Sequence, residues 1–181
     1  MSLNSWQTDL HPLLEQQSAR QNRPPRIAIL GIGNALRSDD AAGILVARGL
    51  AQSRIARELH FVRVIDAGHA PENRTVELRP FDPELVILVD AAEMGKAPGA
   101  AHWVGIDEID GMSASTHSMP LSMLAKYLTL EFGCEVRVLG IQPQSNELGE
   151  SISREVLGSV EKIVQGLARF LSSFSSAEFQ I

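Results

Sequence analysis

The sequence contains one cysteine, Cys134, among its 181 residues. A single thiol cannot form an internal disulfide, and it excludes a cysteine-rich zinc site or an iron–sulfur cluster held by this chain alone. No segment approaches the roughly 20 consecutive apolar residues that a membrane-spanning helix needs. The N-terminus also lacks the cationic start and the unbroken apolar stretch of a signal peptide. We therefore expect a cytoplasmic protein with no membrane partner.

Basic residues are also few, and acidic residues outnumber them. The chain has 16 Lys and Arg residues against 22 Asp and Glu residues, which gives a formal net charge of −6. An acidic surface repels phosphate backbones, so nucleic acid is not an expected partner. The hydrophobic fraction of 44% and the charged fraction of 21% are typical of a globular protein. The length fits one domain of ordinary size with a short extension.

Composition and periodicity predict three parts of the chain. Apolar residues recur at helical spacing from Leu3 to Leu14, and the prolines at positions 24 and 25 stop any helix, so residues 1–25 are predicted to form an N-terminal helical extension. The preferred interpretation is that it covers part of the core, with a helix that docks a partner as the alternative, and the sequence does not decide between them. Residues 26–174 are predicted to form the main domain. The Ser-rich end, residues 175–181, is predicted to be a frayed tail.

Short runs rich in Val and Ile predict five strands. They are Ile27–Ile32, Phe61–Ile65, Leu85–Val89, His102–Ile106 and Val136–Ile141. Segments with helical periodicity alternate with these runs, and the last of them covers about 151–174. The pattern predicts an α/β fold, a three-layer αβα sandwich around a five-stranded, mostly parallel, twisted sheet. The fourth run follows the third too closely for a helical crossover, so we expect it to be antiparallel.

In an open α/β sheet, ligands bind where loops leave the carboxyl ends of the strands. The first such loop has two glycines, Gly31 and Gly33, at the end of the first strand and continues to Asp39 and Asp40. The third glycine of a dinucleotide-binding motif would fall at Leu36, and two acidic residues at a helix start disfavour a pyrophosphate, so the loop does not indicate a nucleotide site. One aspartate can cap the helix predicted to begin near Ala41, which leaves the other free to face the loop.

Two more aspartates follow apolar runs. Asp66 ends the second run, and Gly68 permits a tight turn that could expose its carboxylate, although Asp is also an ordinary turn residue. His69 nearby could be a ligand or a loop residue. Asp90 closes the third run, and the preferred interpretation is a carboxylate that accepts hydrogen bonds from the following loop, with support of a cation site as the alternative.

His117 lies in a loop before a helix whose first turn is predicted to contain Pro120. A helix N-terminus favours neutral imidazole, which is the form that binds metals. Asp40, Asp66 and His117 follow different strands and can converge at one edge of the sheet. Two carboxylates and one imidazole suit a divalent ion such as Ni²⁺, Zn²⁺ or Fe²⁺. The chain contains neither G-x-S-x-G nor H-E-x-x-H, and Cys134 is expected to be a small buried residue rather than a nucleophile.

Five motifs occur in the order and at the spacing of a known family. They are GIGNALRSDDAAG, DAGHAPEN, LVDAAEMGKAPG, STHSMPL and LGIQP. Together they resemble the NiFe-hydrogenase maturation endopeptidases, and most closely the branch that processes the large subunit of the formate-hydrogenlyase hydrogenase, hydrogenase 3. The resemblance covers about Ile27 to Gln165 and implies a single αβα domain with a five-stranded sheet.

The resemblance implies an endopeptidase that removes a short C-terminal peptide from a hydrogenase large-subunit precursor once nickel has been inserted there. It gives the metal-contacting roles to Asp40, Asp66 and His117, so we expect these residues to be both catalytic and metal-binding, with nickel carried by the precursor and a carboxylate assisting hydrolysis as in an aspartyl protease. Ala41 and Ala67 stand where relatives often carry Gly, and the N-terminal extension is unusual.

Two other functions stay open from the sequence. One is a nickel-dependent chaperone that binds the precursor without cutting it, and the other is a self-contained metallohydrolase that acts on another substrate. The expected oligomeric state is a monomer.

Overall fold

The computed structural model describes Trp6, Pro12 and residues 23–54, 58–111 and 119–176. Its strands are β1 (Ile27–Ile32), β2 (Val62–Gly68), β3 (Leu85–Ala91), β4 (Ala101–Val104) and β5 (Glu135–Ile141). Its helices are α1 (Ala42–Gln52), α2 (Leu121–Phe132) and α3 (Arg154–Ser176). Three 3-10 segments join them, at Ser38–Ala41, Pro71–Leu78 and Ile109–Gly111.

The five strands form one sheet in the order β2-β1-β3-β5-β4. β1 pairs in parallel with β2 and β3, and β3 pairs in parallel with β5. β4 pairs with β5 in the antiparallel sense, as its short connection to β3 predicts. The central strands β1 and β3 are buried along their whole length, which is why they are continuous apolar runs rather than alternating ones.

Helical segments cover both faces of the sheet. Apolar side chains of α1 and α3 pack against one face, where Val46, Leu50 and Leu167 belong to the core. The other face is covered by α2 and by the end of Pro71–Leu78, with Leu78 and Leu124 in a second core. The predicted three-layer αβα architecture is therefore confirmed.

Two strands continue beyond their predicted ends. Asp66 lies inside β2, where it pairs with Gly31, and Asp90 lies inside β3, where it pairs with Gly140. The ladder continues because pairing uses backbone groups and tolerates a polar side chain. The two aspartates, which were expected at the ends of the runs, therefore lie within strands that extend past them to Gly68 and Ala91. The last helix also begins and ends slightly later than predicted, at Arg154 and Ser176.

Most of the predicted N-terminal extension lies outside the described residues, as do residues 177–181. Trp6 is the informative exception because only 3% of it is exposed and it belongs to the core beneath α1 and α3. The Trp103 indole N–H on β4 donates a hydrogen bond to the Trp6 carbonyl at 2.8 Å. Within the described ranges, no helix combines the length and hydrophobicity needed to cross a membrane.

Candidate active site

The candidate site lies at the carboxyl edge of the sheet between β1 and β3. From β1 the chain passes through α1 to β2 on one side, and from β2 it returns past β1 to β3 on the other side. The connections leave these two neighbouring strands in opposite directions, so a crevice opens between the loops that follow them.

Glycines allow α1 to begin directly over this edge. A Cβ atom on Gly43 would overlap the carbonyl oxygens of Ile32 and Val89, and one on Gly31 would overlap the carbonyl oxygen of Gly43. The start of α1 therefore rests on the backbone of both β1 and β3. This close approach brings the preceding turn, Ser38–Ala41, into contact with β3.

Asp39 and Asp40 are adjacent and both fully buried, but Asp39 has an evident structural task. Its Oδ2 accepts hydrogen bonds from the backbone N–H groups of Gln144 (2.7 Å) and Ser145 (3.1 Å), and its Oδ1 accepts one from the N–H of Ser153 (2.6 Å). The Ser153 hydroxyl also donates to Oδ2 of Asp39 at 3.0 Å. Asp39 therefore joins the turn before α1 to the loop before α3. In the part of the chain that the structure describes, no side chain forms a capping hydrogen bond at the N-terminus of α1, and Asp39 serves this connection instead.

Asp40 is the candidate in the turn that follows β1 and precedes α1. Its backbone N–H donates to the Arg37 carbonyl at 2.9 Å, and its carbonyl accepts from the Asn34 N–H at 3.2 Å, which fixes the loop. The residue has no exposed surface. A buried carboxylate is costly in free energy, and its position at a ligand-binding edge makes Asp40 a candidate for function.

Asp66 lies one strand farther out, on β2. Its side chain is 35% exposed, and its Oδ2 accepts a hydrogen bond from Arg48 Nε on α1 at 2.7 Å. The ion pair places this carboxylate on the sheet face that α1 covers. Binding a cation through the same oxygen would require the Arg48 contact to break.

Asp90 occupies the strand next to β1 and is fully buried. Its neighbours in sequence at positions 88 and 92 face the core under α2, so the alternation of the strand places Asp90 on that face. The sequence offered a signal for this residue, since it follows directly after the apolar run Leu85–Val89. Its position beside the crevice makes it a second candidate for a functional carboxylate.

His117 lies outside the described residues, which end at position 111 and resume at 119. The described ends of this interval are joined, because Asp110 accepts hydrogen bonds from the backbone N–H and the hydroxyl of Ser122 in the first turn of α2. The same hydrogen bonds hold the pKa of Asp110 below its usual value, with Lys126 adding a smaller effect. Among the described residues, no three His, Cys, Asp or Glu side chains are grouped to hold a metal ion. The predicted triad, which needs His117, therefore stays a prediction.

Gln142 is a positioning residue that the sequence analysis did not name, although it belongs to the LGIQP motif. It is buried at the end of β5, where its Oε1 accepts hydrogen bonds from the N–H groups of Met94 (2.7 Å) and Lys96 (3.1 Å). Its amide nitrogen donates to Glu93 Oε1 at 2.6 Å and to the Pro143 carbonyl at 3.1 Å. Gln142 thus holds the loop that follows Asp90.

Cys134 is a buried structural residue. Its Sγ lies 3.5 Å from the Leu128 carbonyl, and burial raises the pKa of the thiol to about 11. Because the thiolate is the nucleophilic form, this cysteine is inert near neutral pH, as expected from the sequence.

Comparisons with known proteins agree on one family. A family model described as HycI, hydrogenase maturation protease, matches residues 44–169. The hydrogenase 3 maturation protease of Escherichia coli K12 is 37% identical over 77% of this chain and 86% of its own length.

Solved structures give the same result. The crystal structure of a NiFe hydrogenase maturation protease HycI from Thermococcus kodakarensis has a TM-score of 0.72 and 31% identity, and the match covers 88% of this chain and 99% of that one. The solution structure of an endopeptidase HycI from Escherichia coli has a TM-score of 0.66 and 36% identity, and the match covers 77% and 86% of the two chains.

Proposed function

Because the chain belongs to the HycI family of hydrogenase maturation proteases, we propose that it removes a C-terminal peptide from the large-subunit precursor of a NiFe hydrogenase. The protein is a peptidase, and its similarity to the hydrogenase 3 maturation protease favours a large subunit of that type as substrate. The buried carboxylate of Asp40, at the crevice between β1 and β3, is the observation that carries the proposal. It supplies a preorganised acidic group where a polypeptide can approach the sheet edge.

Nickel enters this proposal as part of the substrate. Carboxylate oxygens gain metal–ligand bonds from a nickel-loaded precursor and gain none from an empty one. Insertion of the metal then becomes a condition for cleavage. The cation orients the scissile peptide, and a nearby carboxylate can act as general base.

The proposed cation-binding residues are Asp40, Asp66 and His117. Asp90 is the second candidate for the position given to Asp66, and two observations support it: the strand order puts it next to β1, and no part of it is exposed. Asp66 is accessible but bonded to Arg48.

Processing of a purified precursor tests the function. With nickel-loaded precursor, mass spectrometry is expected to show loss of a C-terminal peptide, and without nickel the mass is expected to stay unchanged. An unchanged mass with stable binding would instead establish the chaperone. Stoichiometric metal in the purified protein, together with cleavage that does not depend on nickel in the precursor, would establish the self-contained hydrolase.

Variants in the same assay test the residues. Asp40→Ala and His117→Ala are expected to abolish processing while the far-ultraviolet circular dichroism stays that of the wild type. Asp66→Asn and Asp90→Asn separate the two remaining candidates, because only the residue that contacts the cation should lose processing by a factor of about 100 or more. The exposed Asp107 provides a control, and Asp107→Asn should process at the wild-type rate. Wild-type activity of Asp40→Ala would refute the assignment.

The cytoplasmic location and the monomeric state stay predictions. Size-exclusion chromatography with light scattering tests the second of them.

A further inference from the structure

Two large apolar side chains stand exposed on loops that border the candidate site. Leu36 follows β1 and is 70% exposed, and Leu148 follows β5 and is 69% exposed. Both loops leave the carboxyl ends of parallel strands, so both leucines lie at the edge of the sheet that carries Asp40. One exposed leucine needs no explanation, but two on neighbouring loops at a ligand-binding edge point to a contact surface.

Hydrogen bonds join the two loops. The Gly149 N–H donates to the Leu36 carbonyl at 2.8 Å, and the Asp39 N–H donates to the Ser145 carbonyl at 3.1 Å. The Ser38 hydroxyl donates to the Ser151 carbonyl at 2.9 Å. The backbone on both sides is therefore fixed before any ligand arrives, which reduces the entropy lost on binding. We call this surface the Leu36–Leu148 ledge.

Polar groups beside the ledge lack partners of their own. Within the described part of the chain, Arg37 Nε and Asn146 Oδ1 are shielded from solvent and form no hydrogen bond. One is a donor and the other is an acceptor, and each belongs to one of the two loops. A buried polar atom without a partner is rare and calls for an explanation. An extended polypeptide supplies both a carbonyl oxygen and an N–H group along its backbone.

We propose that the Leu36–Leu148 ledge binds an extended segment of the precursor next to the scissile bond. Apolar side chains of that segment cover the two leucines, and its backbone pairs with Arg37 and Asn146 after small side-chain rotations. This inference rests on the proposed function, because an endopeptidase must hold a length of polypeptide across the edge where Asp40 lies. The ledge therefore sets which precursors are accepted rather than how fast the bond breaks.

The double variant Leu36→Ser/Leu148→Ser tests the ledge in steady-state processing of nickel-loaded precursor. Loss of two apolar contacts that form equally in the ground state and the transition state is expected to raise KM by about tenfold with kcat nearly unchanged. Leu36→Met/Leu148→Met keeps the apolar surface and is expected to restore KM. A matched control is Leu130→Ser. Leu130 is 87% exposed near the end of α2, at the edge of the sheet where β5 begins and not at the edge where it ends. This variant should leave KM unchanged.

The possible results separate the ledge from the proposed function. A wild-type KM for the double serine variant, or an equal rise in KM for Leu130→Ser, would overturn the ledge while processing itself stands. Absence of processing by the wild-type protein would refute the proposed function. Equilibrium binding of the precursor then tests the proposed role of the ledge. The double serine variant is expected to bind the precursor about tenfold more weakly than the wild type, and equal affinity would overturn the proposal.

Discussion

At the scale of single residues, the adjacent aspartates Asp39 and Asp40 have different roles, and that of Asp39 is structural. Asp39→Asn should lower the free energy of unfolding by about 3 kcal/mol, because an amide nitrogen would then face backbone N–H groups that now donate to a carboxylate. Urea denaturation measures the change. Asp107→Asn, at an exposed position, is the control and should stay within about 0.5 kcal/mol of the wild type. Equal stability of the two variants would mean that the contacts of Asp39 contribute nothing net.

The sequence indicates that one of two adjacent aspartates is structural, yet it cannot say which one. The decision depends on Ser153, which lies far along the chain and reaches Asp39 only in the folded protein. The pairing of Asp66 with Arg48 is hidden for the same reason, because it requires α1 to lie over β2. Residue type and position after a strand therefore identify candidate carboxylates, whereas long-range contacts decide their roles.

At the scale of elements, the junction of α1 with the sheet depends on a glycine. Gly43→Ala should destabilise the protein by about 3 kcal/mol, because the new methyl group would overlap carbonyl oxygens of Ile32 and Val89. Gly158→Ala in α3 is the matched control, since among the described residues its added Cβ would meet no heavy atom within 4 Å other than those of its chain neighbours and its own helix backbone. Helix propensity alone should make that variant more stable by up to about 1 kcal/mol.

Thermal and urea unfolding of both variants give the comparison. Opposite signs are expected, and processing by Gly43→Ala should also fall because α1 carries the Asp40 turn at its start. Stabilisation of both variants by similar amounts would show that α1 can move away from the sheet without cost, which would contradict the packing described above.

The elements themselves could largely be predicted from sequence. Buried parallel strands are continuous runs of Val, Ile and Leu, and amphipathic helices have a clear period, so β1, β3, β5 and α3 were predicted within a few residues. Strand ends were less certain, because backbone pairing continues past the last apolar residue in β2 and β3. The close packing of α1 on the backbone of β1 and β3 was not predictable either, because a glycine in a helix sequence does not show which backbone it will contact.

At the scale of the whole molecule, the order of the strands determines where chemistry can occur. The order β2-β1-β3-β5-β4 places the crevice between β1 and β3, and it makes β4 the edge strand that Trp6 contacts. The candidate site and Trp6 therefore lie at different parts of one sheet. A change at Trp6 should act on stability and leave the chemistry of the crevice intact.

Trp6 allows a direct test of that separation. Trp6→Ala should lower the free energy of unfolding by about 3 kcal/mol, because a ring that is 3% exposed leaves a cavity in the core between the sheet and α3. Trp6→Phe keeps much of the apolar volume and should lose less than half as much, while the backbone hydrogen bond from Trp103 stays available in both variants. Urea unfolding followed by circular dichroism gives the stabilities, and kcat for precursor processing at 25 °C should remain that of the wild type. Unchanged stability of Trp6→Ala would place the N-terminal segment outside the cooperative fold, and a loss of kcat without a loss of stability would connect it to the crevice instead.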